Sequence, residues 1–292
     1  MKSTTRQLWT ARLIGLAAGL LAIGIIIASE LPSMGAMTGL KAHEMYIYPI
    51  VRVATLSSTG SGSIVYSQLN KEGTYSTYIL TNFHVVDSAV ILEKVWDTDM
   101  QAYVQRERRS VVYVEIFKYR HVSTPIGTMR VEADIVLYNF DEDIALLKLR
   151  TEEQAQYIAL LSKDPPDVKV MDESVAVGYS VGFPPIPSVG VITRLNFQID
   201  SLPYHISCSQ IIFGNSGGAI FKADTGELIG IPSLVPIVGW GTPVTHMGLF
   251  IPVDRVYAWL AKQHYDFLYD PELKEQTCLT LRDKEIKAKK DK

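Results

Sequence analysis

An all-β fold, a barrel or pair of barrels behind an N-terminal hydrophobic segment, is what this 292-residue sequence predicts. Three observations carry the prediction. From Tyr46 onward, short apolar and β-branched runs alternate with clusters of Gly, Ser, Asn and Asp. Helical periodicity is confined to one stretch near the C-terminal end, and 47% apolar with 20% charged residues is ample for a sizeable core.

The elements follow in order. Lys2, Arg6 and Arg12 precede Leu13 to Ser29, 17 uncharged residues rich in Leu, Ile, Ala and Gly. That length lies between a signal-peptide core and a comfortable membrane span of about 20 residues. A small-x-small cleavage pattern is poor, since Ile26 stands two before Ala28 and Met34 two before Ala36. Residues 1–30 are therefore expected to be a cytoplasmic N-terminus and signal-anchor, with the rest extracytoplasmic, periplasmic or extracellular; secretion after signal-peptide cleavage is the alternative. Residues 31–46 read as a spacer. Candidate strands of a first half are Pro49 to Thr55, Gly62 to Ser67, Thr77 to Thr81, Val111 to Phe117, Arg130 to Tyr138 and Ile144 to Leu149. Thr151 to Lys169, with Asp164-Pro165-Pro166-Asp167, breaks the pattern and reads as a link. The second half offers Ser174 to Val177, Gly190 to Leu195, His205 to Cys208, Gly218 to Lys222, Glu227 to Pro232 and Gly248 to Ile251. Val253 to Phe267 has helical spacing, with Val256, Trp259 and Leu260 on one face, and is expected to close the domain. Residues 268–292 read as a charged, disordered tail, above all from Arg282 onward.

Composition excludes several classes. A formal charge of −3 and a pI near 6.1 leave no footprint for nucleic acid, and Arg106-Glu107-Arg108-Arg109 reads as a solvated loop. The 15 Tyr and 4 Trp are scattered rather than arrayed as a stacking platform. Two cysteines, Cys208 in a core-like strand and Cys278 in the polar tail, build no disulfide framework, and no Cys/His spacing suggests zinc. Neither metal nor cofactor is expected. Among the six histidines, His205 precedes the nucleophile candidate and could approach a cleft.

Chemistry concentrates at three places. Gly214-Asn215-Ser216-Gly217-Gly218-Ala219 sets a serine on a glycine-rich turn between apolar runs, where the amides of Gly214 and Ser216 could hold an oxyanion. Thr81-Asn82-Phe83-His84-Val85-Val86 puts a histidine just after a strand, and Asp141-Glu142-Asp143-Ile144 puts an aspartate just before one. A serine needs a neutral imidazole to take its proton, and that imidazole needs a carboxylate to hold one tautomer.

With these stretches and with Gly60-Ser61-Gly62-Ser63, Gly226 to Ile231 and Gly248-Leu249-Phe250-Ile251-Pro252, the chain resembles a trypsin-like serine protease, most similar to the HtrA (Deg) family without a PDZ domain. The resemblance covers about residues 47–262. It implies two six-stranded β-barrels, one at about 47–150 and the other at about 171–256, with the closing helix at about 253–267. It implies that Ser216 is the nucleophile, His84 the general base, Asp143 the orienting carboxylate, and Gly214 and Ser216 the oxyanion donors. Ser233 matches a position that supports the aspartate. Gln210, Ile211 and Val235 match the primary specificity pocket, which implies a small to medium apolar residue before the scissile bond. The implied function is endopeptidase action on unfolded or exposed polypeptides in quality control or regulated proteolysis, as a homotrimer; the membrane association is expected from segment 13–29, and no nucleic acid from the charge. The alternative is a latent or non-catalytic protease-fold scaffold tethered to a membrane. The interval from His84 to Asp143 is longer than the family's, with the surplus at Leu92 to Ser110 and Lys118 to Thr128, which reads as an elongated hairpin or loop pair.

Overall fold

The computed structural model describes residues 36–290. The hydrophobic segment 13–29 lies outside them, and among the described residues no helix is long and apolar enough to cross a membrane. The first eight strands are β1 (Ile50–Ala54), β2 (Thr59–Leu69), β3 (Tyr75–Thr81), β4 (Val90–Asp97), β5 (Ala102–Arg109), β6 (Val112–Arg120), β7 (Thr124–Asn139) and β8 (Ile144–Leu149). They are followed by β9 (Glu173–Gly178), β10 (Ile186–Ile199), β11 (Leu202–Ser207), β12 (Ala219–Lys222), β13 (Leu228–Leu234), β14 (Ile237–Val238), β15 (Thr242–Pro243) and β16 (Gly248–Pro252). Strands β1-β2-β3-β8-β7-β6 close one antiparallel barrel, and β10-β11-β16-β13-β12-β9 close a second. The twelve barrel strands are the twelve that the apolar runs predict.

Those runs are nearly continuous because both faces of the central strands are buried. Ile79 and Leu147 enter the interior of the first barrel with Val51, Val53, Ile64, Val112 and Val114. Their neighbours Tyr78, Leu80 and Leu146 point the other way, into a larger core shared with Val175, Val177, Phe221 and Ile231. Successive residues of a strand face opposite sides, so one strand serves two cores.

Four expectations need correction. The spacer is part of the fold in its second half. A helical turn at Gly39–Ala42 runs into His43–Ile47, where Tyr46 is buried on Phe221 with its hydroxyl donating to the Ala223 carbonyl at 2.6 Å. The closing helix is shorter than expected, Val253–Lys262, and a separate 3-10 turn follows at Asp266–Leu268. The tail expected to be disordered carries a helix, Glu275–Lys290, anchored at its first turn. There the Tyr78 hydroxyl donates to the Glu275 carboxylate at 2.6 Å, Lys148 bridges the same carboxylate at 3.2 Å, and Cys278 is buried rather than solvated. Burial pushes the Cys278 thiol up to about 11, and both cysteines are free. Finally, Arg106 to Arg109 is strand, not loop. The β4–β5 hairpin is held by cross-strand pairs, Arg106 to Asp97 at 3.1 Å, Arg108 to Glu93 at 3.0 Å and Trp96 edge-on to Tyr103, instead of by a core.

His205 faces away from the candidate nucleophile, against Phe250 and into a separate cavity lined by Pro165, Pro166 and Asp254. Its Nδ1 accepts the Asn196 amide at 3.2 Å, which requires that nitrogen to be unprotonated, and burial holds the imidazole below its usual 6.5. The neutral form is the folded one. The contribution is complete above about pH 6.5 and is lost as pH falls through that value toward the folded-state pKa, at up to about 1.4 kcal/mol per pH unit. His205→Asn, which keeps an acceptor but cannot be protonated, is expected to flatten this part of the acid decline in urea-unfolding free energy; an unchanged profile would contradict the assignment.

Candidate active site

The register of β3 and β8 assembles the first half of the site. Thr81 pairs with Ala145, so the residues after β3 and the residues before β8 emerge side by side. His84 leaves β3 on the one-turn helix Phe83–Val86, whose Phe83, Val85 and Val86 are buried while the imidazole, in a side chain 45% exposed, faces solvent. Asp143 arrives from the opposite direction. Its carboxylate accepts from the His84 main-chain amide at 3.0 Å and lies 2.9 and 3.0 Å from His84 Nδ1. A carboxylate only accepts, so Nδ1 carries the proton and Nε2 is left as the basic nitrogen.

Asp143 is held tightly. Its φ of +53° is a left-handed conformation that costs a non-glycine residue about 1 kcal/mol. Asn82 donates to the Asp143 carbonyl at 2.9 Å, and the Asp143 amide donates to Phe140 at 3.2 Å. The fourth contact comes from the second barrel. Ser233 Oγ donates to Asp143 Oδ2 at 2.7 Å from a register shift between Pro232 and Leu234 in the β13–β16 ladder. The bulge turns this hydroxyl out of the sheet toward the carboxylate.

Ser216 sits on the turn before β12, and the turn is fastened to both barrels. The Ser61 amide donates to the Ser216 carbonyl at 2.8 Å. The Ser61 hydroxyl donates to the Gly214 carbonyl at 2.6 Å and accepts the Tyr179 amide at 2.7 Å. Asn215, between the two oxyanion candidates, is buried and accepts from Ser180 Oγ at 2.7 Å. At Gly60 the two halves meet. A Cβ there would lie 2.7 Å from the Val85 side chain, next to His84, and 3.0 Å from the Ser216 carbonyl, so only glycine lets these segments close up.

The oxyanion candidates take their orientation from the same fastening. The Phe213 carbonyl accepts the Val181 amide at 2.9 Å. Across a trans peptide the Gly214 N–H therefore points the opposite way. Gly214 has φ +97°, and a Cβ would collide with the Tyr179 carbonyl, so this position admits only glycine. Among the described residues neither the Gly214 nor the Ser216 amide has an intramolecular acceptor. The Ser216 hydroxyl likewise makes no hydrogen bond, so His84 and Ser216 are not joined directly.

The candidate specificity residues are more dispersed. Ile211 is buried in the second barrel's core with Ile192 and Phe250, against Gly248. Gln210 is exposed, its amide donating to Ser188 Oγ at 2.7 Å, and Val235 is half-buried. Ser61, Asn82 and Ser180 are the site residues that sequence reasoning did not assign. Ser61 lies in Gly60-Ser61-Gly62-Ser63, but the partners of its hydroxyl are more than a hundred positions away in the chain.

The sequence matches the family model of the trypsin-like peptidase domain over residues 60–231. No curated protein matches it. Among solved structures, the crystal structure of Deg5 is similar at 22% identity and a TM-score of 0.51, covering 74% of this chain and 89% of that one. The HtrA-type protease AlgW with a tripeptide is similar at 18% identity and a TM-score of 0.56, over 78% of this chain and 64% of AlgW. At these identities the likeness is one of fold.

Ser61→Ala leaves the Gly214 carbonyl and the Tyr179 amide without partners. The expected loss is about 1–3 kcal/mol of unfolding free energy, read from urea denaturation; a variant as stable as the parent would show that the fastening is dispensable. Matched by the family model over more than half of its length and folded as two closed six-stranded barrels, the chain belongs to the trypsin-like peptidases, with the fold of HtrA-type proteases.

Proposed function

We propose that this chain is a serine endopeptidase of HtrA-like type that hydrolyses unfolded or exposed polypeptides through an acyl-enzyme on Ser216. The observation that carries the reading is the Asp143 carboxylate, gripped by His84 from one barrel and by Ser233 from the other. A binding protein has no use for an imidazole fixed in one tautomer with its far nitrogen free.

In the proposed reaction Ser216 Oγ attacks the scissile carbonyl as His84 Nε2 takes the hydroxyl proton, while Asp143 stays ionised and steadies the imidazolium. The Gly214 and Ser216 amides receive the oxyanion, the interaction that commonly supplies the largest single share of rate enhancement. His84 returns its proton to the leaving amine, and the ester left on Ser216 is hydrolysed by water in the reverse sequence. Ile211 and Val235 suit a small to medium apolar residue before the scissile bond, and Gln210 lacks the acid that Arg or Lys would need there. On this reading the hydrophobic segment 13–29 tethers an extracytoplasmic enzyme, assembled as a homotrimer, to quality-control or regulated proteolysis.

The unbonded Ser216 hydroxyl favours a second reading, a latent or non-catalytic protease-fold protein that holds its partner in the cleft. Nucleophile–base contacts are commonly loose before substrate binds, which keeps catalysis the first reading. Hydrolysis of an unfolded polypeptide by the purified protein separates the two. Ser216→Ala is expected to lower kcat by about a million-fold and Asp143→Asn by about ten-thousand-fold. Hydrolysis retained by Ser216→Ala would remove that serine from the reaction, and a wild type as inert as the variant would favour the scaffold.

A further inference from the structure

The cavity that His205 faces lies against the second barrel and holds none of the candidate triad. Its volume is about 520 Å³, and Leu195, Ile229, Pro252 and Val253 give it an apolar wall. An irregularity in β10 creates the site. The β10–β11 register slips between Arg194, opposite Ile206, and Phe197, opposite Tyr204, so Leu195 and Asn196 together face His205. Asn196 takes φ +54° there, and its amide donates to His205 Nδ1 at 3.2 Å. That bond orients the ring. With Nδ1 accepting, Nε2 carries the proton of the neutral imidazole, and among the described residues this N–H has no acceptor although His205 is only 8% exposed. A second wall is unpaired main chain. Asp164-Pro165-Pro166-Asp167-Val168 belongs to no strand, and among the described residues the amides of Asp167 and Val168 and the carbonyls of Pro165 and Pro166 have no partner. The mouth is acidic. No Lys or Arg lines the cavity, Asp167 is paired with Lys169 at 2.9 Å, and the exposed Asp254 has no such pair among the described residues.

We propose that this cavity is an exosite for an extended, uncharged, apolar segment of polypeptide, one main-chain carbonyl of which accepts from His205 Nε2 while an aliphatic side chain lies on Leu195, Ile229 and Val253. The site stands apart from the candidate triad, and the proposal does not depend on the proteolytic reading. Each wall selects one property of the occupant. A buried, directional N–H without an acceptor calls for a carbonyl. The acidic mouth disfavours a carboxylate or phosphate in that role, and the apolar wall calls for aliphatic side chains. Unpaired amides and carbonyls beside the cavity are the groups that an added strand consumes, which favours an extended main chain over a compact molecule bearing a single carbonyl.

The test titrates the capped tripeptide N-acetyl-leucyl-alanyl-leucinamide into the full-length Ser216→Ala protein, which excludes turnover of the probe. Affinity is read by calorimetry and occupancy at the His205 imidazole by nitrogen-15 NMR, its signal assigned by its loss in His205→Asn. A saturable shift of the Nε2–H signal is expected. His205→Asn keeps an acceptor for the Asn196 amide but withdraws the donor from the cavity, and the loss of one buried hydrogen bond predicts about fivefold weaker binding. N-acetylleucinamide offers the carbonyl and the side chain without the length to reach the unpaired main chain, and the two bonds it forgoes predict about tenfold weaker binding. Val168→Glu puts a charge on a half-buried wall residue and should remove binding at an unchanged unfolding temperature. Glutamate in place of the probe's alanine should weaken binding, and salt should narrow that gap. A His205 signal that does not move as the peptide saturates the protein would overturn the proposal, leaving the cavity to water. Affinity unchanged in Val168→Glu would overturn it as well, and N-acetylleucinamide binding as tightly as the tripeptide would overturn the assignment to polypeptide.

Discussion

The joint made by Ser61 is the constraint on which the rest of the structure depends. A nucleophile carried by one barrel and a base carried by another can act together only if the turn bearing the nucleophile is fixed to the opposite barrel. Ser61 does this at three points, through its amide to the Ser216 carbonyl and through its hydroxyl between the Gly214 carbonyl and the Tyr179 amide. Thr81 braces it in turn, its hydroxyl donating to the Ser61 carbonyl at 2.7 Å. Because Thr81 ends the strand that delivers His84, the bracing and the imidazole share one piece of backbone. Ser61, Thr81 and Tyr179 are buried, so a partner lost there would leave a desolvated polar group.

Reciprocity comes from Ser233. Where Ser61 reaches from the first barrel to the Ser216 turn of the second, Ser233 reaches from the second barrel to Asp143 of the first. The two cross-barrel contacts run in opposite directions and lock the same interface. Asp143 can therefore occupy a left-handed conformation that an isolated turn would avoid, since hydrogen bonds from Asn82 and Ser233 and a main-chain bond to Phe140 over-determine its position. Preorganisation of this kind lets a carboxylate orient an imidazole without reorganising as charge develops.

The barrels were legible in the sequence because their strands are buried on both faces and so appear as apolar, β-branched runs. Ile79, Leu80, Leu146 and Leu147 are of this kind. The candidate triad was legible because each member sits one to three residues from such a strand. The β4–β5 hairpin was legible only as surplus length at Leu92 to Ser110, and Arg106 to Arg109 not as strand at all, for the hairpin buries little and is held by Arg–Glu and Arg–Asp pairs whose sequence looks like a solvated loop. The helix Glu275–Lys290 was hidden for a related reason: its exposed, mixed-charge surface dominates the composition, while Glu275 finds its partner, Tyr78, on a strand about two hundred residues earlier and Cys278 is buried. Tyr46 and Ser61 share that difficulty. Local pattern reveals which residues are buried, but not which distant carbonyl a hydroxyl will meet.

The proposed reading is that these cross-barrel contacts place Ser216 for activation by His84, beside the Gly214 and Ser216 amides. Covalent modification by a fluorophosphonate, with the labelled residue identified by peptide mass spectrometry of the intact full-length protein, tests it most directly. The account predicts one adduct per chain, on Ser216, and none on Ser216→Ala or on protein unfolded in urea. An unmodified Ser216 in the folded protein, or an adduct distributed over other serines, would contradict it.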